Sequence, residues 1–497
     1  MRILVWHGWL LEGSGSNVYT ARTVMAWRRQ GHDVALVCQE GHPERFPFLD
    51  AWAATGELPK LRPLPTEQSS GRAVLLRPEI GHLLPVFVYD EYEGFTVKTF
   101  VDLTDAELEA YLDANVAALR AAADWHRPDV VIAGHALPGP VIARRALDDG
   151  TFVAKIHGSD LEYAMRPQQR YVHLAREGLE GAIAVAGGSR DVLGRLLELV
   201  PSVSDRVRLV APGVEVERWR PLPRREALLH TADLLEQEPA RARGRSASLD
   251  PEVADAMHRR DLGALDRLAG RYDQTAPDPA APERLRALAG AGGPIIGYLG
   301  KLIPQKGVEH LLAAIALLDP RPRALVIGFG THRERLEALV AALDAGDAAA
   351  AEVLGAEIDP AAGVGLAERV TFTGRLDHRY AATAVAALDV LVVPSILDEA
   401  FGMVALEGAA AGSLPLVARH SGLAEIAAAL EDAVGATGLF SYEPGPGATR
   451  RLAAGLERLL SIPAAEREAL GRRLAGVVAE RWTWERTADA LLDAARA

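Results

Sequence analysis

Asp398 to Gly412 reads D-E-A-F-G-M-V-A-L-E-G-A-A-A-G, and the fold is decided there. The stretch follows a short apolar run, Val390 to Val393, whose composition predicts a buried parallel strand ending at Pro394 and Ser395. From Gly402 the apolar spacing turns helical, through Met403, Leu406 and Ala410. The pattern is strand, loop, helix. Glu399 stands before the helix and Glu407 in its second turn, with seven residues between them. That spacing lets both carboxylates point at one cleft, although it also suits a solvated helix start. The backbone N–H groups of Gly402, Met403 and Val404 fall at the helix N-terminus, where an anion is favoured by roughly 0.3–1 kcal/mol. Gly402 lets a ligand approach the backbone closely. Two carboxylates beside an anion-binding turn imply a ligand with sugar hydroxyls and phosphates, such as a nucleotide sugar.

A chain of 497 residues is long enough for two or three domains, each with its own core. A net charge of −13 argues against general nucleic-acid binding, which needs a basic face. The single cysteine, Cys38, closes a predicted strand and reads as a buried apolar residue. No apolar run approaches the roughly 20 residues of a membrane span. Met1-Arg2 leads straight into a strand without a signal peptide, so the expectation is a cytoplasmic protein.

Ile3 to Val5 reads as the first strand, followed by the loop H-G-W-L-L-E-G-S-G-S-N, a helix from about Val18 to Gln30, and a second strand at Val34 to Val37. This is a Rossmann-like opening. Gly13 and Gly15 make the loop a candidate phosphate or sugar cradle, and Ser16 or Asn17 a candidate helix cap. The loop is not a dinucleotide fingerprint, because the third glycine position is Val18. Val86 to Tyr89 and Thr96 to Val101 read as strands around a turn at Glu93-Gly94. His135 follows the strand Val130 to Ala133 at its carboxyl end, the ligand side of an open parallel sheet, where an ordinary loop histidine is equally at home. Phe152 to Ile156 is another strand and runs into H-G-S-D, His157 to Asp160. A histidine there can donate a hydrogen bond to a hydroxyl or a diphosphate.

Pro221 to Gly293 is rich in Ala, Arg, Glu and Pro and carries no strong strand signal. It reads as a helical insertion, with a flexible entry near Arg241 to Ser248 and arginines on a solvated face. A second β-α half then begins at Ile295. Its first loop, G-K-L-I-P-Q-K-G-V, holds Lys301 and Lys306, two of only five lysines in a chain that writes most positive charge as arginine. Two compact ammonium groups in one strand-to-helix loop suit a diphosphate, each contact contributing roughly 1.5–3 kcal/mol. T-G-R-L, Thr373 to Leu376, ends the strand Val370 to Phe372, and residues 341–365 form another Ala/Gly-rich insertion. The tail from Leu452 is helical, with Trp482 and Trp484 near a break as packing anchors.

The ordered set of lysine loop, T-G-R-L and E-A-F-G-M-V-A-L-E resembles the retaining GT-B glycosyltransferases of family 4 across the whole second half. G-S-N-V-Y at Gly15 to Tyr19 is similar to the inositol-phosphate GlcNAc transferases of mycothiol synthesis. The resemblance implies an α/β GT-B fold, two facing Rossmann-like domains with a deep interdomain cleft. The expected boundaries are 1–218 for the acceptor-side domain, 219–293 for the insertion, 294–479 for the nucleotide-sugar domain, and 480–497 for a helix returning to the first domain. It implies that Glu399 contacts the transferred sugar and Glu407 the ribose, that Lys301 and Lys306 meet the diphosphate, and that His157 contacts the sugar. Lys301 departs from the Arg more common at its position. Thr373, Gly374, Arg375 and Leu376 would hold the base, and Phe401, Gly402, Met403 and Val404 the donor phosphates. Gly15 and Ser16 would face the donor, and Asn17 and His135 the acceptor. The implied activity is metal-independent transfer from a nucleotide-sugar co-substrate to a small-molecule or glycan acceptor, with retention, no further cofactor, and domain closure excluding water. A nucleotide-sugar epimerase, a phosphorylase, or a non-catalytic nucleotide-sugar-binding subunit are the other readings of the same architecture.

Overall fold

The computed structural model describes residues 1–89, 92–147, 151–356 and 363–496. It divides into two compact units, Met1–Gly213 with Trp482–Ala497, and Val214–Arg481. The first unit is built on a nine-stranded sheet. Starting from Arg2–Trp6, the chain extends it one way through Asp33–Val37 and Arg72–Arg77, and the other way through Val130–Gly134, Phe152–Lys155, Ala184–Gly187 and Val207–Leu209. These strands are parallel, and only the outermost pair, Ala51–Ala54 with Arg62–Pro63, is antiparallel. Their apolar runs are buried, as expected for strands covered by helices on both faces.

Three local readings need correction. The first helix spans Gly15–Arg29 and is capped by Ser14, whose side chain accepts from the Asn17 N–H at 3.3 Å, so neither Ser16 nor Asn17 is the cap. The apolar run Ala182 to Val185 reads as a strand on its own composition, but the strand lies two residues later, at Ala184–Gly187. The strands around Glu93-Gly94 are Leu83–Val86 and Thr96–Thr99, and they pair in parallel as a separate two-stranded sheet rather than folding back as a hairpin.

The last helix, Trp484–Ala494, belongs to the first unit and packs on the first helix. Trp27 Nε1 donates to Ala488 O at 3.1 Å, Gln30 Nε2 to Asp489 Oδ1 at 2.9 Å, and Thr487 Oγ1 to Ala211 O at 2.9 Å. Gly213 is required here, since a Cβ would lie 2.4 Å from the Thr483 carbonyl carbon. Trp484 is buried edge-on against Tyr19, with ring centroids 5.5 Å apart.

The second unit carries a six-stranded parallel sheet in the order Val370–Phe372, Arg323–Phe329, Ile295–Lys301, Val390–Val393, Leu414–Ala418, Ser441–Tyr442. Successive strands again spread in opposite directions, here from between Ile295–Lys301 and Val390–Val393. Residues 221–293 are helical, over Arg224–Glu236, Asp250–His258, Leu262–Leu268 and Ala281–Gly290. The entry expected to be flexible and solvated instead holds Arg245 with its side chain 1 % exposed, paired with Asp250 at 2.8 Å and Glu334 at 3.5 Å. A guanidinium buried this far needs such partners. Of the second insertion, Arg333–Ala345 and Ala348–Val353 are helices, and 357–362 lie outside the described residues. No helix among the described residues is long and apolar enough to cross a membrane.

Trp484→Ala should remove a buried indole and lower the unfolding free energy by about 3–5 kcal/mol. Urea unfolding of the full chain checks this, and a loss under 1 kcal/mol would show that the tail helix contributes little to the first unit.

Candidate functional site

In the second unit the site gathers where the strand order reverses. The loops after Ile295–Lys301 and Val390–Val393 leave adjacent strands at their carboxyl ends, the position at which open parallel sheets bind ligands. Lys306 ends the short turn Pro304–Lys306. Gly307 follows at φ 62°, and a Cβ there would stand 2.3 Å from Pro394 O, so glycine lets the two loops touch. Ile396 and Leu397 N–H groups donate to Gln305 O at 2.9 and 3.1 Å. The loops thereby become one platform, and Lys306 Nζ donates to Glu399 Oε1 across it. Ser395 Oγ donates to the same oxygen at 2.6 Å, and the Glu399 N–H donates to Ser421 Oγ at 2.9 Å. Both charged side chains keep about a fifth of their surface exposed, 23 % for Lys306 and 20 % for Glu399. Lys301 is exposed at the end of its strand.

Gly402 opens the helix Met403–Ala410 at φ 101°, and a Cβ there would meet Leu423 Cδ2 at 2.4 Å. Phe401 lies against Gly422, where a Cβ would come within 2.6 Å of the Phe401 Cα. Met403 and Val404 begin the helix, so their N–H groups have no partner within it. Glu407 is buried, and its Oε1 lies 3.6 Å from His378 Nε2. Thr373 is buried and its Oγ1 donates to Gly374 O at 3.1 Å. The Thr373 and Gly374 carbonyls accept from the N–H groups of Asp278 (2.8 Å) and Gly328 (3.1 Å). Arg375 is half-buried, with its guanidinium 5.1 Å from the Phe329 ring centroid, while Leu376 is buried. His378 and His420 escaped sequence reasoning. His420 Nε2 lies 2.7 Å from Ser395 O and Nδ1 3.2 Å from Asp398 Oδ1, bracing the Glu399 loop.

The first unit presents a second cluster at its own switch point. His7, His135 and His157 follow three adjacent or next-but-one strands at their carboxyl ends. The His135 ring lies 4.7 Å from His157 and 6.3 Å from His7, with Trp9 at 4.6 Å and Phe87 at 4.9 Å. His135 takes φ 68° and is buried, and its Nδ1 stands 3.6 Å from Asp160 Oδ2. Asp160 is also buried, and accepts from the N–H groups of Gly158 (2.8 Å) and Leu161 (3.0 Å). Burial pushes its carboxyl up, but His135 and the Ala136 and Leu161 N–H groups outweigh that and hold it below the usual range. His157 packs edge-on against Tyr19 at 5.2 Å, and Lys155 Nζ sits 4.5 Å over the same Tyr19 ring. Burial lowers the Lys155 ammonium to about 7, opposed by Asp160. Burial, then the Lys155 charge, drives His157 well below its ordinary value, so it is neutral at pH 7.

Asn17 is turned inward. Its Oδ1 lies 2.9 Å from His7 Nε2 and its amide donates to Glu12 O, so it orders the glycine loop rather than facing solvent. Gly15 and Ser16 are at the helix start, and a Cβ on Gly15 would meet nothing within 4 Å, leaving open space above the loop. His7, Lys155 and Asp160 were passed over in the sequence. A histidine one residue past each of two strands was the available signal.

Residues 14–213 match the glycosyl transferase 4-like domain, and residues 293–461 match glycosyl transferases group 1. The chain belongs to this glycosyltransferase family. Among curated relatives, a 2-deoxystreptamine glucosyltransferase of Streptomyces kanamyceticus is 33% identical over 216 residues, 41% of this chain and 48% of that protein. A D-inositol 3-phosphate glycosyltransferase of Mycobacterium leprae (strain Br4923) is 28% identical over 241 residues, 48% and 50% of the two chains. The chain thus spans about half the length of the curated relatives it matches. Among solved structures, sucrose-phosphate synthase from Thermosynechococcus elongatus superposes with a TM-score of 0.61 at 19% identity, over 100% of this chain and 98% of that one. Anabaena HepE in complex with UDP and glucose gives 0.58 at 14% identity, over 99% and 98%. The glycosyltransferase fold is of the GT-B type, as the motif order led one to expect.

The His7 ring is lowered from 6.5 to about 3, by burial first and then by His135. A buried neutral histidine resists protonation that the unfolded chain accepts below about 6.5. Its contribution to stability is therefore complete above pH 6.5 and lost as pH falls toward 3, by at most about 1.4 kcal/mol per pH unit. Denaturant unfolding at pH 7, 6 and 5 should show a fall that is shallower in His7→Gln. Parallel pH profiles in both proteins would refute the burial argument.

Proposed function

We propose that this chain transfers a sugar from a nucleoside-diphosphate sugar to an acceptor hydroxyl, with retention at the anomeric carbon and without a metal ion. The observation that carries the reading is the Lys306–Glu399 pair at the switch point of the second sheet, one loop away from the Gly402 helix start. It sets a cation for the diphosphate beside a carboxylate for the sugar. The partial exposure of both groups leaves them able to exchange one another for ligand contacts. Glu407, already fixed in a buried position near His378, is the proposed partner of the ribose hydroxyls.

In the proposed reaction the bond between the sugar C1 and the β-phosphate oxygen breaks, and a bond from C1 to the acceptor oxygen forms on the same face. The acceptor's proton passes to the departing phosphate. Lys301, Lys306 and the N–H groups at Gly402 to Val404 meet the developing negative charge, each such group contributing on the order of 10²–10³ in rate. His157 serves as a neutral hydrogen-bond donor to a sugar hydroxyl, a role its depressed basicity suits. Glu399 and Glu407 bind hydroxyls and are not cast as the two carboxyls of a glycosidase. The relatives' names support a small polyhydroxylated acceptor, 2-deoxystreptamine in one case and D-inositol 3-phosphate in the other. HepE, whose fold this chain shares, was solved with UDP and glucose, which supports a nucleotide-sugar donor. A cytoplasmic location is part of the proposal.

A thermal-shift panel of UDP, GDP, ADP and dTDP, alone and as sugar conjugates, tests the reading. One base at about 100 times its dissociation constant should add roughly 2.7 kcal/mol of stability. No shift with any of them would overturn it. Glu407→Ala should weaken nucleotide binding at least tenfold with the fold retained, as read by calorimetry. Lys306→Ala should lower turnover on the order of 10²-fold while nucleoside binding changes little, and equal turnover would remove its leaving-group role.

A further inference from the structure

The matched family stretches end at residue 213 and resume at residue 293, so the helical segment between them lies outside both. Its final part does not simply return the chain to the second sheet. Pro277 forms an antiparallel bridge with Gly374, and the Asp278 N–H donates to Thr373 O at 2.8 Å. Gly374 takes φ 74°, and a Cβ on it would lie 2.6 Å from Asp278 Oδ1 and 2.7 Å from Asp278 N. The two backbones therefore meet without an intervening side chain. Val370–Phe372 is the edge strand of the sheet, so Pro277 and Asp278 extend that edge at its carboxyl, ligand-facing end.

This contact is fixed by buried charge. Asp278 is 1 % exposed and accepts from Arg333 at 2.9 Å and Arg284 at 3.0 Å. Arg284 also donates to Phe372 O at 3.0 Å, and Arg333 lies 4.3 Å over the Phe372 ring and bonds Glu337 at 2.8 Å. A few residues earlier, Asp273 pairs with Arg243 at 3.4 Å and accepts from the Thr275 N–H and hydroxyl at 2.9 and 2.6 Å. Burial pushes the Asp273 carboxyl up, but the Thr275 hydrogen bonds, with Arg243 and Arg375, hold it below the usual range. Arg375 thus has the Phe329 ring on one side and feels the Asp273 carboxylate from the segment.

We propose that residues 273–278 form one wall of the nucleoside end of the donor site and set which base it accepts. The inference rests on the nucleotide-sugar reading above. A segment locked to the T-G-R-L backbone can discriminate bases because it cannot yield. Its carboxylate accepts from base N–H groups and disfavours base carbonyls, while the Arg375 guanidinium does the reverse. Selectivity of this kind depends on polar groups left unpaired by the wrong base.

Calorimetry on the full chain with UDP, GDP, ADP and dTDP gives the wild-type ratio of affinities. Asp273→Asn and Thr275→Ala alter partly exposed residues, and unchanged melting temperatures would confirm an intact fold. The expected result is that the ratio of the best base to the next falls at least fivefold in one or both variants. Affinities that stay within about twofold for every base would overturn the inference, leaving the segment as a closure for the sheet edge. A uniform loss across all bases would also overturn it, because the contact would then be to ribose or phosphate. No binding of any nucleotide by the wild-type chain would instead sink the nucleotide-sugar reading, and this inference with it.

Discussion

The structure depends on parallel pairing that spreads in two directions from a central pair of strands. In a parallel sheet every strand delivers its carboxyl end to the same side, and at the reversal two neighbouring loops turn away from each other. In the second unit that opening is held by Gly307 against Pro394 and by the Ile396 and Leu397 N–H groups on Gln305. Only then do Lys306 and Glu399, 93 residues apart in the chain, come within hydrogen-bonding distance. In the first unit the same topology assembles His7, His135 and His157 from three separate strands. The charged and aromatic groups are consequences of that topology rather than its cause.

The two clusters are tuned differently. Lys306 and Glu399 are partly wet, so their pairing is modest in energy and exchangeable for a ligand. In the histidine cluster His7, His135 and Asp160 are buried, and Lys155 is held over Tyr19 with its ammonium weakened by burial. Burial keeps His7 and His157 neutral, while Lys155, lowered to about 7, changes its charge near neutral pH. The first cluster is thus governed by burial, and the second by charges that solvent still reaches.

The sheets were legible because their strands are nearly continuous apolar runs, and because the helix after Gly402 announces itself by a change of period. The placement of Lys306, Glu399 and Glu407 in the segments that follow two strand ends was legible for the same reason. What escaped notice depended on contacts distant in sequence. His378 meets Glu407 from a different helix, and Asp278 meets Gly374 across 95 intervening residues that show no shared pattern. Arg245 looked like one more arginine in a basic, low-complexity stretch, and its burial is fixed by Glu334 and Glu337 on a helix nearly a hundred residues on. Ser14 rather than Ser16 caps the first helix because Gly15 and Ser16 already adopt helical geometry. The strands near residue 90 pair in parallel, an arrangement that composition alone does not separate from a hairpin.

The helix Trp484–Ala494 covers Tyr19 and Trp27, residues from the first helix of the chain. During synthesis those aromatic rings wait while some 270 intervening residues of the second unit are made. The first unit cannot bury its full apolar surface until Trp484–Ala494 leaves the ribosome. A chain stopped anywhere before residue 482 would keep that surface exposed, an adhesive patch that chaperones and proteases can detect. Synthesis as far as this helix is thus a condition for covering the aromatic rings that were made first.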